Sequence, residues 1–416
     1  SAFRALSRGL LAGAGTLGIF LIAGDWKIVM NTVGMGPYLT CSEYVLTTIP
    51  MFILMAYFSS WGGFARDLYT AMYNLLSNIR GGLGIATVFA CGIFGAMSGA
   101  STASASAMSK IAMPEMRRFG YSEMLAAGAI GVGSVLDILI PPSIAMVVYG
   151  ISTDTSIGKL LIAGVVPGII LGAFLAGCIL TWVTVNPSSA PKVIRVSWNE
   201  RFRSLLAIWP SLLIVLFVLV ALYTGMATPT EVGAVGAAAS GVIGVAMGRL
   251  SKTDILKALI DTLLTTTMIF MIIIGAMIFG HFVTLSQVPQ KIVATITSLN
   301  LNRWIVLWLV IGTYFVVSMF MDELPLMLII IPIVFPVISS LGFDPIWFGV
   351  MTMMMVGMGL VFPPVGMIAF VVSSTAKVDL MTVYRGTSIL MIAILLTTIL
   401  LCFFPQIALW LPGKMG

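Results

Sequence analysis

Two apolar stretches, residues 83–114 and 304–338, are each interrupted near the centre. Ser98-Gly99-Ala100-Ser101-Thr102 breaks the first and Met321-Asp322-Glu323-Leu324-Pro325 the second. A helix needs about 20 apolar residues to cross a bilayer, and each half here is shorter than that. In lipid, such a break survives only where the freed backbone groups are buried in protein or line a cavity. Both stretches are therefore expected to be re-entrant helical hairpins, entering the membrane and returning to the side they came from. Residues 95–106 are limited to Gly, Ala, Ser and Thr plus one Met, which lets elements approach closely and supplies hydroxyls to satisfy exposed backbone.

Of 416 residues, 59% are hydrophobic and 9% charged, and mean hydropathy is +1.11. The expected fold class is an all-α polytopic membrane protein. Uninterrupted spans are predicted near residues 10–24, 45–60, 123–150, 159–183, 205–223, 230–248, 262–280, 346–374 and 388–411. The expected units are an N-terminal scaffold helix and connector (1–44), a first repeat (45–185), a linker with scaffold helices (186–261) and a second repeat (262–411). Segment 186–204, with Lys192 and Arg195, reads as the longest soluble linker. The mixed segments 61–80 and 284–299 read either as amphipathic arms lying at the membrane surfaces or as ordinary loops.

In a soluble chain a net charge of +6 would suggest nucleic acid. Here it reports orientation, because Lys and Arg collect in cytoplasmic loops. With a cytoplasmic N-terminus and two returning hairpins, the outer side receives only Lys27, Lys159, Lys291, Arg303 and Lys414 of the 21 basic residues. Arg4 and Arg8 ahead of the first apolar run give the pattern of a signal-anchor.

The halves repeat. Shifted by 222 positions, Pro114 meets Pro336, Gly120-Tyr121 meets Gly342-Phe343, Pro141-Pro142 meets Pro363-Pro364, and Ser101 meets Glu323. Three continuous crossings in the first unit and two in the connector place the start of the second unit on the opposite face, so the repeat is expected to be inverted, as in many secondary transporters.

Each unit pairs its hairpin tip with a second break, Leu136-Asp137-Ile138-Leu139-Ile140-Pro141-Pro142-Ser143 in the span 123–150 and residues 357–366 in the span 346–374. A proline pair removes two backbone donors and frees carbonyls of the preceding turn. Free carbonyls beside hydroxyls suit a hard cation such as Na⁺, and half-helix N-termini suit a carboxylate. Asp137 and Asp322 lie at membrane depth, where an ionisable group is a functional candidate by default. Glu323 either snorkels or pairs with a polar group.

Other chemistries find little support. Cys41, Cys91, Cys178 and Cys402 have no CxxC spacing and read as small buried hydrophobes. His281 is the sole histidine, so a clustered metal site is not expected. Gly99-Ala100-Ser101-Thr102 lacks the second glycine of a serine-protease Gly-x-Ser-Gly motif, and no phosphate-cradling Gly-x-x-x-x-Gly-Lys-Ser/Thr sequence supports ATP drive. The chain is not expected to be an enzyme.

Seven short motifs, in order, resemble the large membrane (M, or DctM-like) subunit of tripartite ATP-independent periplasmic (TRAP) transporters. They are Pro50-Met51-Phe52-Ile53-Leu54-Met55, Arg80-Gly81-Gly82-Leu83, Ser98-Gly99-Ala100-Ser101, Pro114-Glu115-Met116 with Gly120-Tyr121, Ile138-Leu139-Ile140-Pro141-Pro142-Ser143, Phe320-Met321-Asp322 and Pro363-Pro364-Val365-Gly366. The first 40 residues carry little of the resemblance. It implies Na⁺-driven, ATP-independent import of an organic acid across the bacterial inner membrane by an elevator movement. The substrate would be delivered by a periplasmic substrate-binding protein, with a small four-helix membrane subunit as scaffold.

Carried over by position, the resemblance implies one Na⁺ site at Ser98, Ser101 and the carbonyls around Asp137, Ile140 and Pro142. A second would use carbonyls near Met321, Gly359, Phe362 and Val365. Substrate is expected at Ser101, Thr102, Ser143, Asp322 and Pro364. Two positions depart from the family pattern: Asp137 stands where Gly is usual and Phe362 where Thr is usual. The first would add a carboxylate to one cation site and the second would remove a hydroxyl from the other, so the sites are expected to bind Na⁺ unequally. Two other readings stay open: an anion symporter or antiporter taking substrate directly from solution, and a scaffold or channel subunit without coupled transport.

Overall fold

The computed structural model describes residues 2–190, 196–299 and 301–415, leaving Lys192 and Arg195 of the linker outside the described residues. Ahead of the first unit lie helices α1 (Ala2–Ala23) and α2 (Trp26–Ser42). The sequence suggests a connector at α2, but Asp25 caps a helix there, its side chain accepting from the Lys27 N–H at 2.8 Å.

The first unit contains α3 (Thr48–Trp61), α4 (Phe64–Leu76), α5 (Gly82–Ser98), α6 (Ser101–Arg118), α7 (Glu123–Gly133), α8 (Leu136–Leu139), α9 (Ile144–Thr153), α10 (Ile157–Ala163) and α11 (Val165–Val185). Next come α12 (Trp198–Ala207), α13 (Trp209–Thr224) and α14 (Pro229–Ala246). The end of the expected linker is thus helical, because Ser197 and Glu200 form a capping box that starts α12. The second unit contains α15 (Lys252–Leu285), α16 (Val288–Ser298), α17 (Arg303–Ser318), α18 (Glu323–Ser340), α19 (Pro345–Leu360), α20 (Met367–Ala376), α21 (Leu380–Phe403) and α22 (Gln406–Leu409). The last crossing starts at Leu380 rather than near 388, because Asp379 caps α21 by accepting from the Thr382 N–H.

Among the described residues, seven helical runs are long and apolar enough to cross a membrane, or eight if α12 and α13, bent by 53°, count as one span. α5, α17, α19 and α20 fall short of that length. At 18 residues α18 reaches it, since Asp322 caps it at Glu323 and it continues past Pro332 and Pro336. By sequence α18 is half of a hairpin, and it packs beside α17 just as α6 packs beside α5.

The duplication extends to the elements. α6 and α18 span 101–118 and 323–340, and Gly120 and Gly342 turn the chain after them with the same φ of 74°. Contacts are reciprocal: α6 packs on α20 while α18 packs on α9, and α5 packs on α7 while α17 packs on α19. The α6–α20 and α18–α9 contacts are exchanged between the units, while the α5–α7 and α17–α19 contacts repeat within them.

Outside this paired core, α3 packs along α14 and α15. The buried Thr48 and Thr230 hydroxyls meet at 2.7 Å across the α3–α14 contact, and Arg249 forms an ion pair with Asp67 of α4. Thr48→Val strands the Thr230 hydroxyl and is expected to cost about 1–3 kcal/mol, whereas Thr48→Val/Thr230→Val removes both partners and recovers part of the loss. Thermal unfolding of the purified protein in detergent checks this; additive losses would remove the hydroxyl pair from the account.

Candidate functional site

The site is built where each hairpin tip docks on a break. α5 ends at Gly99, whose φ of +63° turns the chain and whose N–H donates to Gly95 C=O at 2.8 Å. A Cβ on Gly99 would lie 2.9 Å from Pro142 O, so the tip sits directly against the first break. Ile144 N–H then donates to Gly99 C=O at 3.3 Å. The second unit does the same, Gly366 N–H donating to Met319 C=O at 3.0 Å. Both breaks carry a cis proline pair, Pro141-Pro142 and Pro363-Pro364.

The two tips also meet each other. Ser101, first residue of α6, donates from Oγ to Glu323 Oε2 at 3.1 Å. Asp322 caps α18 by accepting from the Glu323 N–H at 2.9 Å. The N-termini of α6 and α18 therefore converge, each bringing the positive end of a helix dipole. Between them and the surrounding helices lies a cavity of about 160 Å³, lined at the tips by Ser98, Thr102, Asp322 and Glu323 and on the far wall by Tyr57 and Thr265. Tyr57 OH and Thr265 Oγ1 are hydrogen-bonded at 2.8 Å.

The remaining expected residues are distributed around that cavity. Asp137 is fully buried in α8, and neither carboxylate oxygen has a hydrogen-bond partner among the described residues. The Ser98 and Ser104 hydroxyls lie beside it as potential donors, each short of the distance and angle of a formed hydrogen bond. The carboxylate fits because Gly95 faces it: a Cβ there would collide with Oδ1. Ile140 is the extended residue that ends α8, and Pro142 is buried beneath Gly99. Ser143 is committed to capping α9, its Oγ accepting from the Met146 N–H at 3.4 Å, and it does not line the cavity.

In the second unit, Pro364 and Val365 carbonyls accept from Tyr384 OH at 2.9 and 2.8 Å. The Phe362 ring lies 5.5 Å from that of Phe315. Met321 is half-buried beside the tip, and Gly359 makes room for the Ser318 hydroxyl. Of the five expected substrate residues, Thr102 and Asp322 line the cavity, and Ser101 reaches it through its bond to Glu323. Ser143 and Pro364 lie outside it.

Sequence reading placed Glu323 as a snorkelling or locally paired residue and overlooked Ser104, Tyr57 and Thr265. The repeat held the clue to Glu323, since Ser101 and Glu323 are equivalent positions, and equivalent residues near a twofold axis touch. Ser104 lies one turn beyond Ser101 in a Ser-rich helix. Nothing local marks Tyr57 or Thr265. His281 lines a separate, largely apolar groove of about 320 Å³ with Leu328 and Pro332. No group of three or more His, Cys, Asp or Glu able to hold a metal occurs among the described residues.

Two packed helix pairs, two broken helices and a small, mainly apolar cavity that carries hydroxyl and carboxylate groups at the tips, all inside an apolar helical chain, are features of a membrane-transporter type of protein. The family model for the tripartite ATP-independent periplasmic transporter, DctM component, matches residues 5–407, and the chain belongs to that family of transporter permeases. The match includes α1 and α2. The chain is 36% identical over 405 residues to the C4-dicarboxylate TRAP transporter large permease protein DctM of Pseudomonas aeruginosa, covering 97% of this chain and 93% of that protein. It is 32% identical to the ectoine TRAP transporter large permease protein TeaC of Halomonas elongata, covering 96% and 93%. The crystal structure of the YdaH transporter of Alcanivorax borkumensis shares the fold, with a TM-score of 0.69 at 15% identity over 99% of this chain and 98% of that one.

Gly95→Ala forces a methyl group into the Asp137 carboxylate. It is expected to destabilise by about 1–3 kcal/mol through overpacking, whereas Gly177→Ala, where a Cβ meets nothing within 4 Å, is expected to be neutral. Thermal unfolding of the two variants tests the placement of Asp137; equal midpoints would refute it.

Proposed function

We propose that this chain is the large permease of a Na⁺-driven importer of a small organic acid. In this reading it lies in the bacterial inner membrane with its N-terminus in the cytoplasm, binds a small four-helix membrane subunit, and receives substrate from a periplasmic substrate-binding protein. The observation that carries the reading is the convergence of the α6 and α18 N-termini on one hydroxyl-lined cavity. Helix N-termini favour a carboxylate without any basic side chain, and among the described residues no Lys, Arg or His lines this cavity.

The donor set fits Na⁺. The unpartnered Ser98 hydroxyl and the break around Asp137, Ile140 and Pro142 offer the hard oxygen ligands that a monovalent cation requires. The second site, at Met321, Gly359, Phe362 and Val365, relies on carbonyls, one of which already accepts from Tyr384. Fewer free oxygens support weaker binding there. Bound Na⁺ supplies positive charge beside the cavity, offsetting the approach of an anion to Asp322 and Glu323.

The two units are read as inverted repeats with re-entrant hairpins. Tips and breaks, joined by backbone hydrogen bonds, would travel together as an elevator while α3, α14 and the arm helices α4 and α16 stay with the small subunit. Thr102 and the Ser101–Glu323 pair would hold substrate during the passage. The named relatives act on a C4-dicarboxylate and on ectoine, which supports an organic acid or zwitterion as the class of cargo.

Uptake into proteoliposomes containing this chain and its small partner, with succinate and ectoine as probes, tests the reading. Accumulation is expected to require both an inward Na⁺ gradient and the cognate binding protein, and Ser101→Ala is expected to lower the rate tenfold or more. Uptake without the binding protein would move the chain to direct anion symport; absence of Na⁺ dependence would overturn the coupling.

A further inference from the structure

Four buried oxygens gather behind the first tip: both carboxylate oxygens of Asp137 and the hydroxyls of Ser98 and Ser104, none with a hydrogen-bond partner among the described residues. They come from three elements, α8, α5 and α6, that pack against one another. Asp137 and Ser104 are fully shielded from solvent and Ser98 nearly so, at 2% exposure. An isolated buried charge is among the most costly things a protein can hold, and unpaired buried hydroxyls add to that cost. The other charged group acting on Asp137 is a second acid, Glu323. The three ion pairs found among the described residues involve neither.

The second unit shows what a site without this cluster looks like. Position 359, equivalent to Asp137, is glycine, and the Ser318 hydroxyl fills the space beside it. That hydroxyl is satisfied, donating to Phe315 C=O at 2.8 Å. The first unit instead places an anionic group there and leaves its neighbours unpaired.

We infer that Asp137, Ser98 and Ser104 form a side-chain cation site, in which the carboxylate is the charged ligand and the Ser104 hydroxyl, assigned no role by sequence, is a direct ligand. This inference rests on the proposed Na⁺ coupling and makes it specific. The carboxylate gives the site a high field strength, which favours the smaller alkali cations, so Li⁺ substitutes for Na⁺ and K⁺ does not. Asp137 and Ser104 are absent from the cavity wall, whereas Ser98 belongs to both places. A cation held at Asp137 therefore fixes the orientation of the Ser98 hydroxyl in the substrate cavity, which couples ion occupancy to substrate binding through one side chain.

The test is the thermal unfolding midpoint of the full chain, purified with its small membrane partner, titrated with NaCl, LiCl or KCl at ionic strength held constant with choline chloride. Na⁺ and Li⁺ are expected to raise the midpoint and K⁺ is not. The half-saturating Na⁺ concentration is expected to rise tenfold or more in Asp137→Asn and several-fold in Ser104→Ala. The latter removes a single hydroxyl and serves where Asp137→Asn does not fold. Wild-type Na⁺ titrations in both variants, or in Ser104→Ala alone where only it folds, would overturn the site while leaving Na⁺ coupling intact. A wild-type protein indifferent to Na⁺ and Li⁺ would overturn both. Na⁺ stabilisation without Na⁺-driven uptake would overturn only the transport reading.

Discussion

A chain this apolar can leave the helix only where the freed backbone groups find partners inside the protein, and the fold answers that demand twice in the same way. The Gly99 carbonyl takes the Ile144 N–H, and the Met319 carbonyl takes the Gly366 N–H. Each hairpin tip thus satisfies a backbone donor at the helix start that follows each proline pair. The docking also explains the close approach of Gly99 to Pro142. Once the tips are held there, the α6 and α18 N-termini have nowhere to point except toward each other.

That convergence makes the Ser101–Glu323 hydrogen bond the meeting point of the two units, and it sets the electrostatics of the cavity. The α18 end carries two acidic side chains, Asp322 and Glu323, and the α6 end reaches Glu323 through Ser101, beside a small space that Thr102, Tyr57 and Thr265 also line. In the proposed reading, a cation bound nearby offsets that negative charge when an anion enters, which links ion and substrate occupancy. The units are not equal partners in this. A carboxylate occupies the core of the first unit at Asp137, and a glycine with a neighbouring serine occupies the same place in the second.

Much of this architecture was legible in the sequence. The 222-residue offset located both tips, both breaks and the turns at Gly120 and Gly342, because these depend on glycine, proline and hydroxyl residues whose backbone roles are local. The helix over residues 26–42 was not legible, since its start depends on Asp25 capping the Lys27 amide and its pattern is too mixed to declare a period. The far wall of the cavity, Tyr57 and Thr265, was hidden because it comes from uninterrupted helices brought alongside by packing. Ser143 and Pro364, expected at the site from the resemblance, have polar groups engaged in capping α9 and in accepting from Tyr384.

The proposed transport movement depends most on the two units being inverted in the membrane, and their equivalent ends give a direct measurement. Arg118 and Ser340 are exposed, equivalent at the 222-residue offset, and end α6 and α18. A single cysteine at either position, in a chain whose four native cysteines are replaced, can be challenged with a membrane-impermeant maleimide on intact spheroplasts. Inversion with a cytoplasmic N-terminus requires labelling at position 340 and none at position 118 until the cells are opened. Labelling of both positions from the same side would contradict it.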